Sequence, residues 1–461
     1  MIDSAATSTP DNRTRSTSIS SLSIEDSGLL TDLYQLTMTA CYVGESLDRS
    51  TASFELFVRK LPKDFGYMIA MGLAQALEYL EQLHFNSAQI DELQATGIFT
   101  NAPDRFWELL ATAKFTGDVW AVPEGTAIFA SEPILRIEAP LWQAQLIETY
   151  LLNTINYQTL IATRAARLRD VAGADATLLE FGTRRAFSPQ ASIWAARAAI
   201  AGGLDTTSNV LAALKLGCQP SGTMAHALVM AIGAKAGSEA AAFTAFHRYF
   251  PGAPLLIDTY DPIAAATMLA QQIAAGEIEL AGIRLDSGDL ISLSQQVKAI
   301  LPDVKIFASG DLGGCRIIKK RTAQAPISGY GLGTKLVTGS PVNGVYKLVE
   351  IDNIPTMKKS PGKMTYPGKK QIFRQFKGGQ FTGDTLGLMT EGAGLLQLVM
   401  SQGNRLQPDD DLATIRRRTD RNVASLTAEI RDINYELNIP VNISPALAEL
   451  TQSLKDISSL I

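Results

Sequence analysis

The sequence predicts an α/β fold with a parallel sheet or barrel at its centre. Between residues 177 and 339, short apolar runs alternate with helix-length segments, the order that gives parallel strands joined by helices. Those runs also share an ending, a cluster of polar residues, where ligand-facing loops sit in parallel α/β folds. The chain is long enough to bury what this requires. Its 461 residues are 46% hydrophobic, enough for one large domain with a smaller one, or for two domains.

The first 27 residues are rich in Ser, Thr, Asp and Arg and lack the apolar stretch of a secretory signal. They read as a disordered tail. Asp3, Asp11, Glu25 and Asp26 speak against a transit peptide. Order is expected from Leu29. Residues 52–62 (ASFELFVRKLP) read as a strand. A helix follows Gly72, with Leu73, Ala76, Leu77, Leu80 and Leu83 on one face. Residues 115–138 are short β-rich runs broken by Pro123, Gly125 and Pro133. A helical pattern then runs from Leu141 toward Asp170.

The alternating region comes next. LLEFG (178–182) precedes Ser188-Pro189, a cap and first-turn proline, and that helix ends at Gly202-Gly203. PLLIDTY (254–260) precedes Asp261-Pro262, the same start signal, with Gly276 as its stop. AGIRLDSGD (281–289), KIFASGD (305–311) and ISGYGLGTKLVTG (327–339) complete the series. From Val345 the pattern loosens. Residues 356–374 hold six basic residues, two prolines and two glycines, a composition that reads as a solvated loop. A helical pattern returns over 412–437 and is broken by NIPVNISPAL (438–447).

Charge and cysteine usage narrow the function. The formal net charge is −5, which favours neither a nucleic-acid nor an anionic-membrane partner. Cys41, Cys218 and Cys315 lie far apart and form no CxxC pair, so there is no zinc or redox motif. A reducing, cytoplasmic location is expected, and no apolar run is long enough to span a bilayer.

Five segments carry candidate chemistry. In LLTDLYQLTM (29–38), Tyr34 lies beside a helical pattern, where an aromatic also suits a core. EFGTRRAFSP (180–189) places Arg184 and Arg185 after a strand, good anion holders, with Phe181 free to stack on a ring. In PSGTMAHALV (220–229), Thr223 and His226 sit where a loop meets a helix; a lone histidine is as readily inert as catalytic. The other histidines, His84 and His247, read as structural. GIRLDSGD (282–289) sets Arg284 beside Asp286 and Asp289, a pattern suited to a diphosphate with Mg²⁺ and equally to a capped turn. In GYGLGTKLVT (329–338), Gly331, Gly333 and Thr334 let backbone N–H groups approach a phosphate, without Walker A or Rossmann spacing.

Taken in order, LLTDLYQLTM, EFGTRRA, SGTMAH, GIRLDSGD, GLGTKLVT and PGKKQIFR resemble the nicotinate phosphoribosyltransferase family, over about residues 28–400. The resemblance implies an irregular α/β barrel of the type II phosphoribosyltransferase kind over 156–344. An α/β sandwich built from both chain ends, 28–155 with 345–461, would flank it. It implies transfer of phosphoribosyl from phosphoribosyl pyrophosphate to nicotinate in NAD salvage, coupled to ATP through a phosphorylated His226. Tyr34, reaching from a partner subunit of a homodimer, and Phe181 would stack on the ring. Arg184, Arg284 and Thr223 match nicotinate and ribose-phosphate contacts, and Gly333 and Thr334 the 5-phosphate site. Asp286 and Asp289 would sit near pyrophosphate and Mg²⁺, with Arg284 and Asp286 serving catalysis.

Three rivals remain at this level. A nicotinamide-selecting enzyme should carry a carboxylate facing the ring substituent, where this chain has Thr207 and Ser208, though Asp205 is close. A quinolinate enzyme would release CO₂ and give His226 no phosphoryl role. A non-enzymatic metabolite-binding protein on the same fold would lose His226 or the Asp286/Asp289 pair.

Overall fold

The computed structural model describes residues 24–360, 362–434 and 439–457. Residues 1–23 of the expected tail, and 435–438 of the expected C-terminal helix and break, lie outside the described residues.

The alternating region folds as predicted into a parallel sheet. Its six strands lie in the order Thr206–Thr207, Thr177–Glu180, Gly329–Leu332, Lys305–Ala308, Gly282–Leu285 and Leu255–Leu256. Every pairing is parallel. The runs are strands because their apolar side chains are buried: Leu178, Ile283, Leu285, Ile306, Tyr330 and Leu332 all sit in one core. The intervening helices start where the caps predict. Ser188 Oγ accepts the Ala191 N–H at 3.0 Å ahead of helix Pro189–Ala201. Asp261 Oδ1 accepts from Ile263 and Ala264 ahead of helix Pro262–Ala274, as N-caps do.

The expected barrel is not closed among the described residues. The edge strands Thr206–Thr207 and Leu255–Leu256 are two residues each and do not pair with one another. Pro220 and Pro254 flank the gap and have no N–H to offer a ladder. The Thr207 carbonyl instead accepts the Ser221 N–H at 2.9 Å. The segment carrying Thr223 and His226 therefore lies along this sheet edge.

A second sheet is antiparallel and has seven strands. Their order is Ile354–Pro355, Gly344–Ile351, Thr51–Val58, Pro133–Pro140, Asp118–Ala121, Gln397–Ser401 and Asn404–Arg405. Both ends of the chain thus contribute to it. Gly344–Ile351 is a regular strand paired along Thr51–Val58, where the sequence pattern loosens. The reason is that its polar residues are covered: Lys347 lies 3.8 Å from Glu148 and Glu350 lies 3.3 Å from Lys369. The basic segment also departs from a solvated loop. Lys370–Lys377 is a strand of a third, small sheet, and Lys370 is buried against Glu55 at 2.9 Å.

One helical stretch joins these bodies. The pattern from Leu141 resolves into helices Leu141–Leu146 and Glu148–Ala172, parted at Ile147. The second has 25 residues. Its first half gives Leu151, Ile155 and Leu160 to the core of the antiparallel sheet. Its second half gives Ile161, Ala162, Ala165 and Ala166 to the core of the parallel sheet. Among the described residues no helix is long and apolar enough to cross a membrane. The three cysteines form no disulfide.

A buried ion pair also ties the antiparallel body to the parallel sheet. Arg197, on helix Pro189–Ala201, grips Glu124 through Nη1 at 2.9 Å and Nη2 at 2.7 Å. Glu124 also accepts the Gly72 N–H at 2.7 Å, at the αL glycine that opens helix Leu73–Glu81. Burial pushes the Glu124 pKa up, but Arg197 and the backbone donors outweigh it, and the net direction is down. The stability from a depressed carboxylate is fully present above the ordinary glutamate pKa of about 4.3 and is lost as pH falls through the folded value. Removing one partner strands the other charge, so Glu124→Ala should cost about 3 kcal/mol at pH 7 in urea unfolding. The gap between wild type and variant should narrow below about pH 4 as the wild-type carboxylate protonates.

Candidate active site

The C-terminal ends of the parallel strands converge with the edge segment 220–226. Arg284 leaves strand Gly282–Leu285 and donates to both groups of that segment within reach. Its Nη1 bonds Thr223 Oγ1 at 2.9 Å and its Nη2 the Met224 carbonyl at 3.0 Å. Its Nε is buried without a partner among the described residues. Burial lowers the Arg284 pKa, Asp286 and Asp258 oppose that, and Arg184 adds to it. The guanidinium stays charged throughout.

Two residues beyond Met224, His226 opens helix His226–Ala236. Its Nδ1 lies 3.0 Å from Thr259 Oγ1. The other ring nitrogen has no partner among the described residues. Thr259 adjoins Asp258, whose Oδ2 accepts three bonds: from the N–H of Asp286 at 2.7 Å, the N–H of Ser287 at 2.8 Å and Ser287 Oγ at 2.9 Å. Asp258 Oδ1 is buried and unpaired. Asp286 in turn accepts from Ser309 Oγ. Four separate segments are thereby locked together around residues 223, 258, 286 and 309.

A cavity of about 120 Å³ opens beside this network, lined by Phe181, Ser221, Thr223, Arg284, Phe307 and Gly331. Gly331 is required there, because a Cβ on it would lie 2.6 Å from the Phe181 ring. Phe181 also links the cavity to the glycine turn. Its N–H bonds the Leu332 carbonyl at 2.7 Å, and its carbonyl oxygen lies 3.3 Å from a Cβ built on Gly333. The N–H groups of Thr334 and Lys335 find no acceptor among the described residues and are open to a phosphate.

The remaining predicted residues divide. Arg184 lies exposed on the turn Thr183–Arg185, close enough to act on Arg284. Asp289 accepts the Ile291 N–H at 3.2 Å as cap of helix Leu290–Ile300. Tyr34 is not drawn in. It sits on helix Leu33–Gly44, which packs on helices Asp104–Ala111 and Leu141–Leu146, and it is 47% exposed. Asp205 is turned to other duties, bonding Arg169 at 2.7 Å and Arg416 at 2.9 Å. The Thr207 hydroxyl goes to buried Glu180 at 2.5 Å.

Asp258, which ends one of the polar strand-end clusters but is not among the predicted site residues, is the hub of this network. Its signal was its place at a strand end in PLLID. Its duty as an acceptor for a neighbouring strand's backbone needs three dimensions to see. No group of three or more His, Cys, Asp or Glu side chains poised for a metal occurs among the described residues.

This geometry can be set beside known proteins. Residues 29–156 match the model of the nicotinate phosphoribosyltransferase N-terminal domain, and residues 176–309 that of the nicotinate phosphoribosyltransferase family. The chain belongs to the nicotinate phosphoribosyltransferase family. It is 42% identical over 393 residues to a nicotinate phosphoribosyltransferase of Mycobacterium tuberculosis, covering 82% of this chain and 83% of that one. It is 41% identical over 363 residues to one of Bacillus subtilis, covering 75% and 72%. The crystal structure of human nicotinic acid phosphoribosyltransferase superposes with a TM-score of 0.82 at 28% identity, over 92% of this chain and 99% of that chain. Every motif from EFGTRRA to GIRLDSGD falls inside the second match.

Asp258→Ala should leave the N–H groups of Asp286 and Ser287 without their acceptor and let that turn shift. A displacement of this kind costs about a hundredfold in turnover. Initial rates at saturating substrate, with circular dichroism to confirm folding, would check it; a folded variant with wild-type turnover contradicts the assignment.

Proposed function

We propose that this chain transfers the phosphoribosyl group of phosphoribosyl pyrophosphate to nicotinate, in NAD salvage. The C1–O bond to pyrophosphate breaks, its electron pair leaving with pyrophosphate, and the pyridine nitrogen lone pair forms the new bond to C1. The products are nicotinate mononucleotide and pyrophosphate. One observation carries the reading: a ring-sized slot walled by Phe181 and lined by the half-buried Arg284, whose two terminal nitrogens hold only a hydroxyl and a carbonyl. A flat anion satisfies both features.

The remaining residues take roles around that slot. Thr223 and Arg184 complete the anion-facing wall, and the turn at Gly333 and Thr334 takes the 5-phosphate. Positive charge builds on the ribose and negative charge on the leaving group, and Arg284 stabilises the latter. Mg²⁺ keeps most of its waters and needs few protein ligands when a substrate diphosphate is present. Asp286 and Asp289 are the carboxylates that would face such an ion, with the diphosphate supplying its other anionic ligands, since no three acidic side chains among the described residues are grouped for a metal. His226, with a ring nitrogen open, is the acceptor for the ATP γ-phosphoryl. The Asp205 carboxylate is engaged by two arginines and so is not free to receive an amide, which favours nicotinate over nicotinamide. Leu30, Leu33 and Tyr34 are all exposed on the N-terminal segment, which supports a homodimer in which Tyr34 enters the neighbouring subunit's site.

Pyrophosphate release should be supported by nicotinate with kcat/KM at least about a hundredfold above nicotinamide, the discrimination expected from pairing a buried charge. Quinolinate should release no CO₂. Incubation with γ-labelled ATP should leave acid-labile, base-stable label on the wild type and none on His226→Ala. Release of pyrophosphate without any pyridine preference, or a His226→Ala enzyme with full ATP-coupled turnover, would overturn the corresponding step.

A further inference from the structure

The long helix Glu148–Ala172 reaches the glycine turn through side chains that do not line the cavity. Its Arg164 donates through Nη1 to the Leu336 carbonyl at 3.3 Å and to the Thr338 carbonyl. Two turns earlier on the same helix, the Tyr157 hydroxyl lies 3.5 Å from the Val337 carbonyl between them. Burial, then Glu180, pushes the Tyr157 pKa up to about 12, so its hydroxyl keeps its proton and can donate.

These three carbonyls are among those the turn leaves unsatisfied. Within it, the Gly333 carbonyl accepts from the N–H of Leu336 at 2.9 Å and of Val337 at 3.3 Å, and the Thr334 carbonyl from Thr338 N–H at 3.0 Å. The Thr338 hydroxyl reaches the same Thr334 carbonyl at 2.7 Å. The turn is therefore closed on its own bonds at one end and held by the long helix at the other.

Two features separate this clasp from incidental packing. Arg164 forms no ion pair with any described residue, although burial lowers its pKa. A guanidinium is placed there at a desolvation cost for the sake of backbone acceptors. The backbone also makes room for it. Gly339 has φ +123°, and a Cβ there would lie 2.6 Å from Arg164 Nη2.

We propose that Arg164 is a positioning residue for the phosphate turn, fixing the backbone at Gly333–Thr334 and so setting affinity for the phosphoribosyl substrate. This rests on the reading that the turn binds the 5-phosphate. Arg164 touches no substrate in this account; it acts through the Leu336 and Thr338 carbonyls.

The test is steady-state kinetics of Arg164→Ala, Arg164→Lys, Thr334→Ala and the Arg164→Ala/Thr334→Ala double variant, with thermal melts. Arg164→Ala should raise KM for phosphoribosyl pyrophosphate about tenfold, the loss expected for charge-assisted hydrogen bonds, with KM for nicotinate within about twofold. Arg164→Lys keeps the charge and one bond and should fall between. The double variant should be less impaired than the product of the singles, since both act through one turn. An unchanged phosphoribosyl pyrophosphate KM in folded Arg164→Ala, parallel rises in both KM values, or strict additivity would overturn the proposal. If the wild type forms no nicotinate mononucleotide, the functional reading itself fails. Calorimetric binding of phosphoribosyl pyrophosphate then decides for Arg164, weaker binding by Arg164→Ala supporting it and equal binding refuting it.

Discussion

The site depends on a guanidinium held largely away from water by neutral partners. Arg284 bonds a hydroxyl and a carbonyl, neither of which cancels its charge. Burying a cation in this way is costly, and only the nearby Asp286 and Asp258 carboxylates offset it. The same arrangement appears with opposite sign at Asp258. One oxygen accepts three bonds from residues 286 and 287, and the other is buried and unspent. Neighbouring strand ends thus place a guanidinium and two carboxylates, Asp258 and Asp286, near enough to act on one another, while Arg284 Nε and Asp258 Oδ1 keep unspent hydrogen-bonding capacity.

Shape follows from residues that are absent as much as from those present. Phe181 can lie over the cavity because Gly331, on the adjacent strand, has no side chain in its way. The glycine turn begins one residue past the strand that Phe181 bonds through its N–H. Phe181 and the glycine turn are therefore spaced by two hydrogen-bonded strands, Thr177–Glu180 and Gly329–Leu332, whose register is set pair by pair. The distance between the cavity and that turn becomes a property of the sheet, which is stiffer than any loop.

Much of this was legible in the sequence because parallel strands advertise themselves. A buried run such as AGIRL must be apolar, and the residue after it must leave the core, so Arg284 and Asp286 stand out by position. The same logic pointed to Phe181 and Thr334, whereas Thr223 stood out where a loop meets a helix and through the family resemblance. What stayed illegible depended on partners distant in the chain. Gly344–Ile351 looked irregular because Lys347 and Glu350 are neutralised by Glu148 and Lys369, which no local pattern reports. Lys370 looked solvated because its counter-ion, Glu55, is 315 residues away. The barrel stays open among the described residues for a related reason. Closure needs two edges to meet, and here prolines and the Ser221 bond terminate the ladder.

A site assembled from strand ends needs its loops held from outside the sheet that bears them. This chain does so repeatedly with arginines projecting from helices. Arg164 holds the Leu336 and Thr338 carbonyls. Arg197 holds Glu124 and, through it, the Gly72 N–H. Arg416, on helix Leu412–Ser425, holds the Leu204 carbonyl at 3.0 Å and Asp205 at 2.9 Å, just before the edge strand. A planar fork suits this work, since it bridges two acceptors with little further loss of rotamer freedom. The helix bearing Arg164 spans both hydrophobic cores, so its position is set by packing on each. The glycine turn is thereby referenced to the antiparallel body, although no residue of that sheet lines the cavity. Separating the binding groups from the groups that hold them lets the former stay electrostatically unsatisfied, as a binding site requires, while their backbone is fixed by bonds made elsewhere.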